Sequence, residues 1–131
     1  MANSTTQRLH IAAFFGMLLL IGTSDIDGRE PLRMQVSPTM ALAPARLTVR
    51  VTVEADADNR YLEVVAESSD FYRSSQVQLD GSGAGPLQVF EFRNLPTGLY
   101  QITGVLIGEH GLRGTVTRMA KVQPSPGSGD R

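Results

Sequence analysis

This sequence predicts an all-β protein, an antiparallel sandwich of about six to seven strands behind a hydrophobic N-terminal helix. Three observations carry that prediction. Arg46 to Glu54 alternates strictly, with Leu47, Val49, Val51 and Val53 on one face and Arg46, Thr48, Arg50, Thr52 and Glu54 on the other. Such alternation is the mark of a strand with one face wet. Phe90 to Ile107 reads as a strand, a Leu-Pro-Thr-Gly corner and a second strand. Beyond the leader, turn residues recur about every eight to twelve positions and no helical period is present.

Residues 1–24 form the leader. Met1 to His10 is polar with one charge, Arg8; Ile11 to Ile21 is apolar; Gly22, Thr23 and Ser24 are small; Asp25 and Asp27 follow. That order matches a secretory signal peptide. The rival is a retained membrane anchor through residues 9–21. Wound as a helix, Leu9 to Ile21 spans roughly 20 Å, against a hydrocarbon core of about 30 Å, so the signal peptide is preferred. A buried core helix is a third reading and sits poorly beside a chain that is otherwise sheet-like. Gly22 and Ser24 place the cut; Ala41-Leu42-Ala43 has the same small-x-small form but lies far from the apolar run. Residues 25–45 contain Pro31, Pro38 and Pro44 and show no clean period. They read as an extended linker, with Arg33 to Val36 as the stretch able to add a short edge strand.

The sandwich is expected over residues 46–123. Ala55 to Asn59 is a turn. Tyr61 to Ser68 is a strand with Leu62, Val64 and Ala66 inward and Tyr61, Glu63, Val65 and Glu67 outward. Ser69 to Arg73 is a loop, Ser74 to Leu79 a strand with Val77 and Leu79 inward, and Asp80 to Pro86 a glycine-rich turn. In the central pair, Phe90 and Phe92 share a face. Pro96 presets the turn, and Gly98 supplies a permissive position. Tyr100, Ile102, Gly104 and Leu106 then fall on one face. Leu95, Pro96, Gly98 and Tyr100 make up the structural corner. Two readings of Tyr100 stay open. Its hydroxyl returns to a nearby backbone group, as in a tyrosine corner, or it is a core aromatic with a hydrated hydroxyl. Gly108 to Gly111 is a hairpin loop and Leu112 to Val122 the last strand. Val116 and Val122 share a face with Arg118, which predicts a bulge near Arg118 and Met119. Residues 124–131, rich in Pro, Gly and Ser, read as a disordered tail.

Phe90-x-Phe92-x-x-Leu95-Pro96-x-Gly98-x-Tyr100-x-Ile102, with Val77-x-Leu79-Asp80-Gly81 upstream, resembles the signature of carboxypeptidase-regulatory-like and Cna-B-like domains. The resemblance covers about Gln76 to Leu106. It implies an immunoglobulin-like or transthyretin-like sandwich, and a binding, spacer or scaffolding module rather than a catalyst. Two departures stand out. Gly85-Pro86-Leu87 replaces a threonine- and glycine-rich lead-in. Cna-B-like domains often carry a lysine–asparagine cross-link, but Lys121 is the single lysine and lies in the last strand, while the first strand offers Arg46 and Arg50.

Composition removes several chemistries. Cysteine is absent, so disulfides, thiolate nucleophiles and cysteine metal sites are excluded. The formal net charge is -1 and the arginines are scattered, which is not the footprint of a nucleic-acid binder. Glu54, Asp56, Asp58 and Asn59 form a dense oxygen cluster. Calcium, which takes about six to eight oxygens, makes Asp56, Asp58 and Asn59 a candidate site; the simpler reading is a turn capped by its own side chains. His10 lies in the leader. His110, beside Glu109 in a hairpin, reads as a solvated loop residue, and no Gly-x-Ser-x-Gly elbow is present. Phe71, Tyr72 and Arg73 are residue types that anchor interfaces, and Tyr61 extends that patch. The competing reading folds Phe71 back onto the core under Arg73.

These observations lead to an exported, non-enzymatic module, secreted or periplasmic, with an interaction or scaffolding role. No cofactor is implied, and the partner is a protein or a glycan. The alternatives are a carbohydrate-binding module, which needs Phe71, Tyr72 or Tyr61 flat and exposed, and a membrane-anchored accessory subunit, which keeps residues 9–21.

Overall fold

A computed structural model describes residues 30–83 and 85–126. Eight strands follow in order: β1 (Leu32–Ser37), β2 (Met40–Leu42), β3 (Ala45–Val53), β4 (Asn59–Glu67), β5 (Tyr72–Gln78), β6 (Leu87–Leu95), β7 (Gly98–Gly108) and β8 (Gly111–Gln123). A short 3-10 turn, Gly81–Gly83, precedes β6, and no α-helix occurs among the described residues. The predicted all-β class is therefore observed. The leader and residues 127–131 lie outside the described residues.

The strands form two sheets, β1-β3-β6 and β2-β8-β7-β4-β5. Alternation decides what lies between them. Every second residue of β3, from Ala45 through Leu47, Val49 and Val51 to Val53, is buried. Leu62, Val64 and Ala66 answer from β4, Phe90, Phe92 and Leu95 from β6, and Tyr100, Ile102 and Leu106 from β7. Each large aliphatic in this layer contributes about 1.5–3 kcal/mol by leaving water. Pairing is antiparallel except for β2, which runs parallel to β8 with Ala41 opposite Val122. The five-stranded sheet is thus mixed, and the three-stranded sheet is wholly antiparallel.

The segment expected as a linker to Ala45 enters the sheets. Leu32, Met34 and Val36 alternate along β1, and Leu32 and Met34 are buried over β7 and β8. Met34 packs so closely over Gly104 that a Cβ there would stand 3.3 Å from its sulfur. The sandwich begins at Leu32, so strands number eight. Ala41 lies within β2, and Ala43 donates its N–H to the Gln123 carbonyl at 2.8 Å.

The corner differs in detail from its sequence reading. The left-handed residue is Asn94 (φ 58°), one step before Leu95, not Gly98. Asn tolerates that conformation better than most side chains. Between Ala45–Leu95 and Leu47–Phe92 the register shifts, so Arg93 and Asn94 oppose Arg46 alone. Gly98 is instead tightly placed: a Cβ would stand 3.1 Å from that of Ser68, which would have to shift to admit it. The bulge expected at Arg118 and Met119 is also elsewhere. Arg118 stays in register opposite Ile102, and the extra residue of β8 is Arg113, between Leu106–Gly114 and Ile107–Leu112. On the other side of β7, Arg60 is likewise skipped between Asn59–Gly108 and Tyr61–Ile107.

Candidate functional site

The two skipped arginines turn to the same loop. An extra residue bends a strand and re-aims its side chain. Arg113 donates to Asn59 Oδ1 and, at 3.0 Å, to Asp56 Oδ2; its Nε lies 3.7 Å from Asp58 Oδ2. Arg60 donates to the carbonyls of Ala57 and Asn59 at 2.8 and 2.9 Å, and to Glu109 Oε2 at 2.9 Å. The turn between β3 and β4 is thereby fastened to the β7–β8 hairpin.

The turn also holds itself. Asp58 N–H donates to Asp56 Oδ1 at 2.8 Å, the side-chain turn that Asp favours. Asn59 is buried, and its amide donates to the Glu54 carbonyl at 2.9 Å. The Glu109 N–H reaches both the backbone carbonyl and Oδ1 of Asp58, each at 2.9 Å. Gly108 admits this approach: a Cβ there would stand 2.5 Å from Asp58 Oδ2 and 2.7 Å from Arg113 Cδ.

Of the oxygen cluster, Asn59 is thus committed to Arg113 and Glu54, and Asp56 to Arg113 and the turn. Asp58 is the member with company of a different kind. One donor atom each of Asp58, Glu109 and His110 lies within 4.8 Å of the others, the ligand-type grouping found among the described residues. Asp58 is half-buried; Glu109 and His110 are exposed. The sequence reading had Asp58 and His110 in separate roles, named Glu109 only as the neighbour of His110 in the hairpin, and missed Arg60 and Arg113. The signal available was the break in alternation before Gly114.

The aromatic trio sits at the far end of β4 and β5. Phe71 is half-buried, edge-on to Tyr100 with centroids 5.9 Å apart. Arg73 lies over the Phe71 ring, 5.0 Å from its centroid, and donates to the Arg93 carbonyl at 2.7 Å. Phe71 folds back and Arg73 covers it. Tyr72 is 62% exposed at the start of β5, and Tyr61 is half-buried opposite Gln78 and Ile107. Phe71 and Tyr61 are therefore not the flat exposed platform a sugar needs. The Tyr100 hydroxyl donates to the Pro96 carbonyl at 2.6 Å, and burial first of all pushes its pKa up, opposed by the Ser68 hydroxyl and the Arg73 charge.

No family model matches this sequence, and no curated protein does. Solved structures share its fold. Superoxide reductase (neelaredoxin) from Ignicoccus hospitalis superposes over 72% of this chain and 81% of its own, with a TM-score of 0.58 and 18% identity. A variant of that reductase covers 76% and 85%, with a TM-score of 0.59 and 16% identity. A family 76 glycoside hydrolase from a bovine Bacteroides thetaiotaomicron strain matches 72% of this chain but 21% of its own, with a TM-score of 0.50 and 14% identity. These neighbours correct the resemblance to carboxypeptidase-regulatory-like and Cna-B-like domains: the fold this chain shares with solved structures is that of the superoxide reductases. They also overturn the step from small sandwich to non-catalytic module, with its carbohydrate-binding and accessory-subunit alternatives. That step rested on fold class, and the reductases sharing this fold are enzymes.

Proposed function

We propose that Asp58, Glu109 and His110 form a metal-dependent redox site, with superoxide as its substrate. The observation that supports this reading is the convergence of three ligand-type side chains at one end of a fold shared with superoxide reductases. The fold alone carries no reaction.

The donor set fits a first-row divalent ion. One imidazole and two carboxylates suit Mn(II), Fe(II) or Zn(II), and three protein donors leave coordination positions open. No cysteine is available, so the ligands are nitrogen and oxygen alone. Glu109 keeps Oε1 beyond its bond to Arg60, and Asp58 Oδ2 stands 3.7 Å from Arg113, longer than a hydrogen bond. A bound Mn or Fe would supply a one-electron couple. The chain's own contribution is positional. Arg60 holds the Glu109 carboxylate by a hydrogen bond, as outer partners of metal ligands do, and Arg113 stands beside that of Asp58 as a charge. Their charge also favours approach of a small anion to the rim. Because they partly neutralise the carboxylates, metal affinity falls below that of an unpaired set.

Titration of the full chain with Mn(II) or Fe(II), followed by assays of superoxide consumption, tests this reading. Stoichiometric binding lost in Glu109→Gln and His110→Ala, with consumption above that of free metal, is expected. Binding indifferent to both substitutions, or consumption equal to free metal, sinks it.

Export belongs to the same reading. The order of polar start, apolar run and small residues in 1–24 supports a cleaved leader and a secreted or periplasmic protein. N-terminal sequencing of the mature protein checks it: a start near Asp25 is expected, and an intact Met1 contradicts it.

A further inference from the structure

A groove of about 390 Å³ follows the outer face of β1 and β3 and takes in Arg118 of β8 across the margin of β1. Arg33, Arg50 and Arg118 line it, with Gln35 and Leu87 among its walls and Glu30 as its carboxylate. The sheet register brings the first two together. Gln35 faces Arg50, and Arg33 faces Thr52, so the two guanidiniums project from diagonal positions of one face. Arg118 arrives from the other sheet. Its place opposite Ile102 puts it on the core-facing side of β8, yet it is exposed, because β8 there runs beside the β1 margin.

These arginines differ from others in the molecule. Arg46, Arg60, Arg93 and Arg113 each pair with a carboxylate. Arg33 and Arg50 form no ion pair or hydrogen bond through their side chains among the described residues, and Arg118 donates only to its neighbour's carbonyl, at 2.9 Å. Three guanidiniums against one carboxylate leave two positive charges in excess. A bound dianion relieves that repulsion.

We propose that this groove binds a small phosphate monoester. Guanidinium forks match phosphate oxygens two at a time, and a phosphate monoester carries close to two negative charges at neutral pH. Leu87, half exposed in the same wall, offers an apolar flank to the organic part. The volume lies at the lower end of small-ligand sites.

The test is calorimetric titration of the full chain with phenyl phosphate at low ionic strength, with phenylacetate as the monoanionic control. Saturable binding is expected, about tenfold tighter for phenyl phosphate than for phenylacetate. Arg50→Gln and Arg118→Gln are each expected to weaken it about tenfold, while Arg46→Gln, outside the groove, leaves it unchanged. Thermal melts of each variant establish that it is folded; if a Gln variant melts early, Arg50→Lys replaces it, with the fold kept and the affinity reduced. The proposal is overturned by equal binding of the two probes, by unchanged affinity in the folded groove variants, or by no saturation in the millimolar range. Binding confined to vesicles containing phosphatidic acid overturns it as well.

Discussion

Arg113 joins Asp56, Asp58 and Asn59 to the hairpin of β7 and β8. It is mostly buried, whereas Arg60 beside it is the more open of the pair. Arg113→Met leaves Asn59 Oδ1 without a partner at a buried site, a loss of about 2–4 kcal/mol in urea unfolding. Arg60→Met, an exposed pair, costs under about 1 kcal/mol. Tyr100→Phe removes the hydroxyl bond to Pro96 and costs about 1 kcal/mol. Its pH dependence has a definite sign. Burial raises the folded pKa, so the native state favours the protonated phenol. That stabilisation is complete below about pH 10 and is lost as pH climbs through the raised value. Alkaline unfolding of the wild type is therefore steeper than that of Tyr100→Phe, by far-UV circular dichroism. The sequence allowed either fate for the Tyr100 hydroxyl, since the Pro96 carbonyl is four residues away and needs the turn to reach it. Arg113 was illegible because its partners lie 54 and 57 positions back.

Among the elements, β3 was readable residue by residue, since nine alternating positions leave no other structure open. The first strand was legible only in part: Arg33 to Val36 was offered as a short edge strand within a linker, and Leu32–Ser37 is the edge of the three-stranded sheet. Leu32, Met34 and Val36 do alternate, but over six residues framed by prolines, where a linker reads equally well. What decides is the apolar surface of β7 and β8 that this strand covers, and no local pattern announces it. Met34→Ala opens a void over Gly104 and Val116 and lowers stability by about 2–4 kcal/mol, measured by heat or urea unfolding. A linker residue would show no such loss. The extra residues at Arg60 and Arg113 escaped notice for a related reason: a bulge is defined by the partner strand, so a single strand read alone shows only a flaw in its alternation.

For the whole molecule, the all-β class followed from pattern, while family and chemistry did not. One motif, Leu95-Pro96 to Tyr100, describes how the chain turns from β6 in one sheet to β7 in the other; a site is assembled from loops distant in sequence. The pairing of β3 with β6, β4 with β7 and β2 with β8 spans long separations, so two-state folding in milliseconds to seconds is expected by stopped-flow fluorescence of the tyrosines. Submillisecond refolding would show that local structure dominates instead. The placement of the two bulges has one more result. Each falls at the last rungs of its ladder, so the tip beyond them, residues 54–60 with 108–113, is a cassette resting on unbroken sheet. Evolution or an engineer can exchange both halves together and keep the sheet beneath; exchanging one half alone costs Arg60 its Glu109 or Arg113 its Asp56 and Asn59.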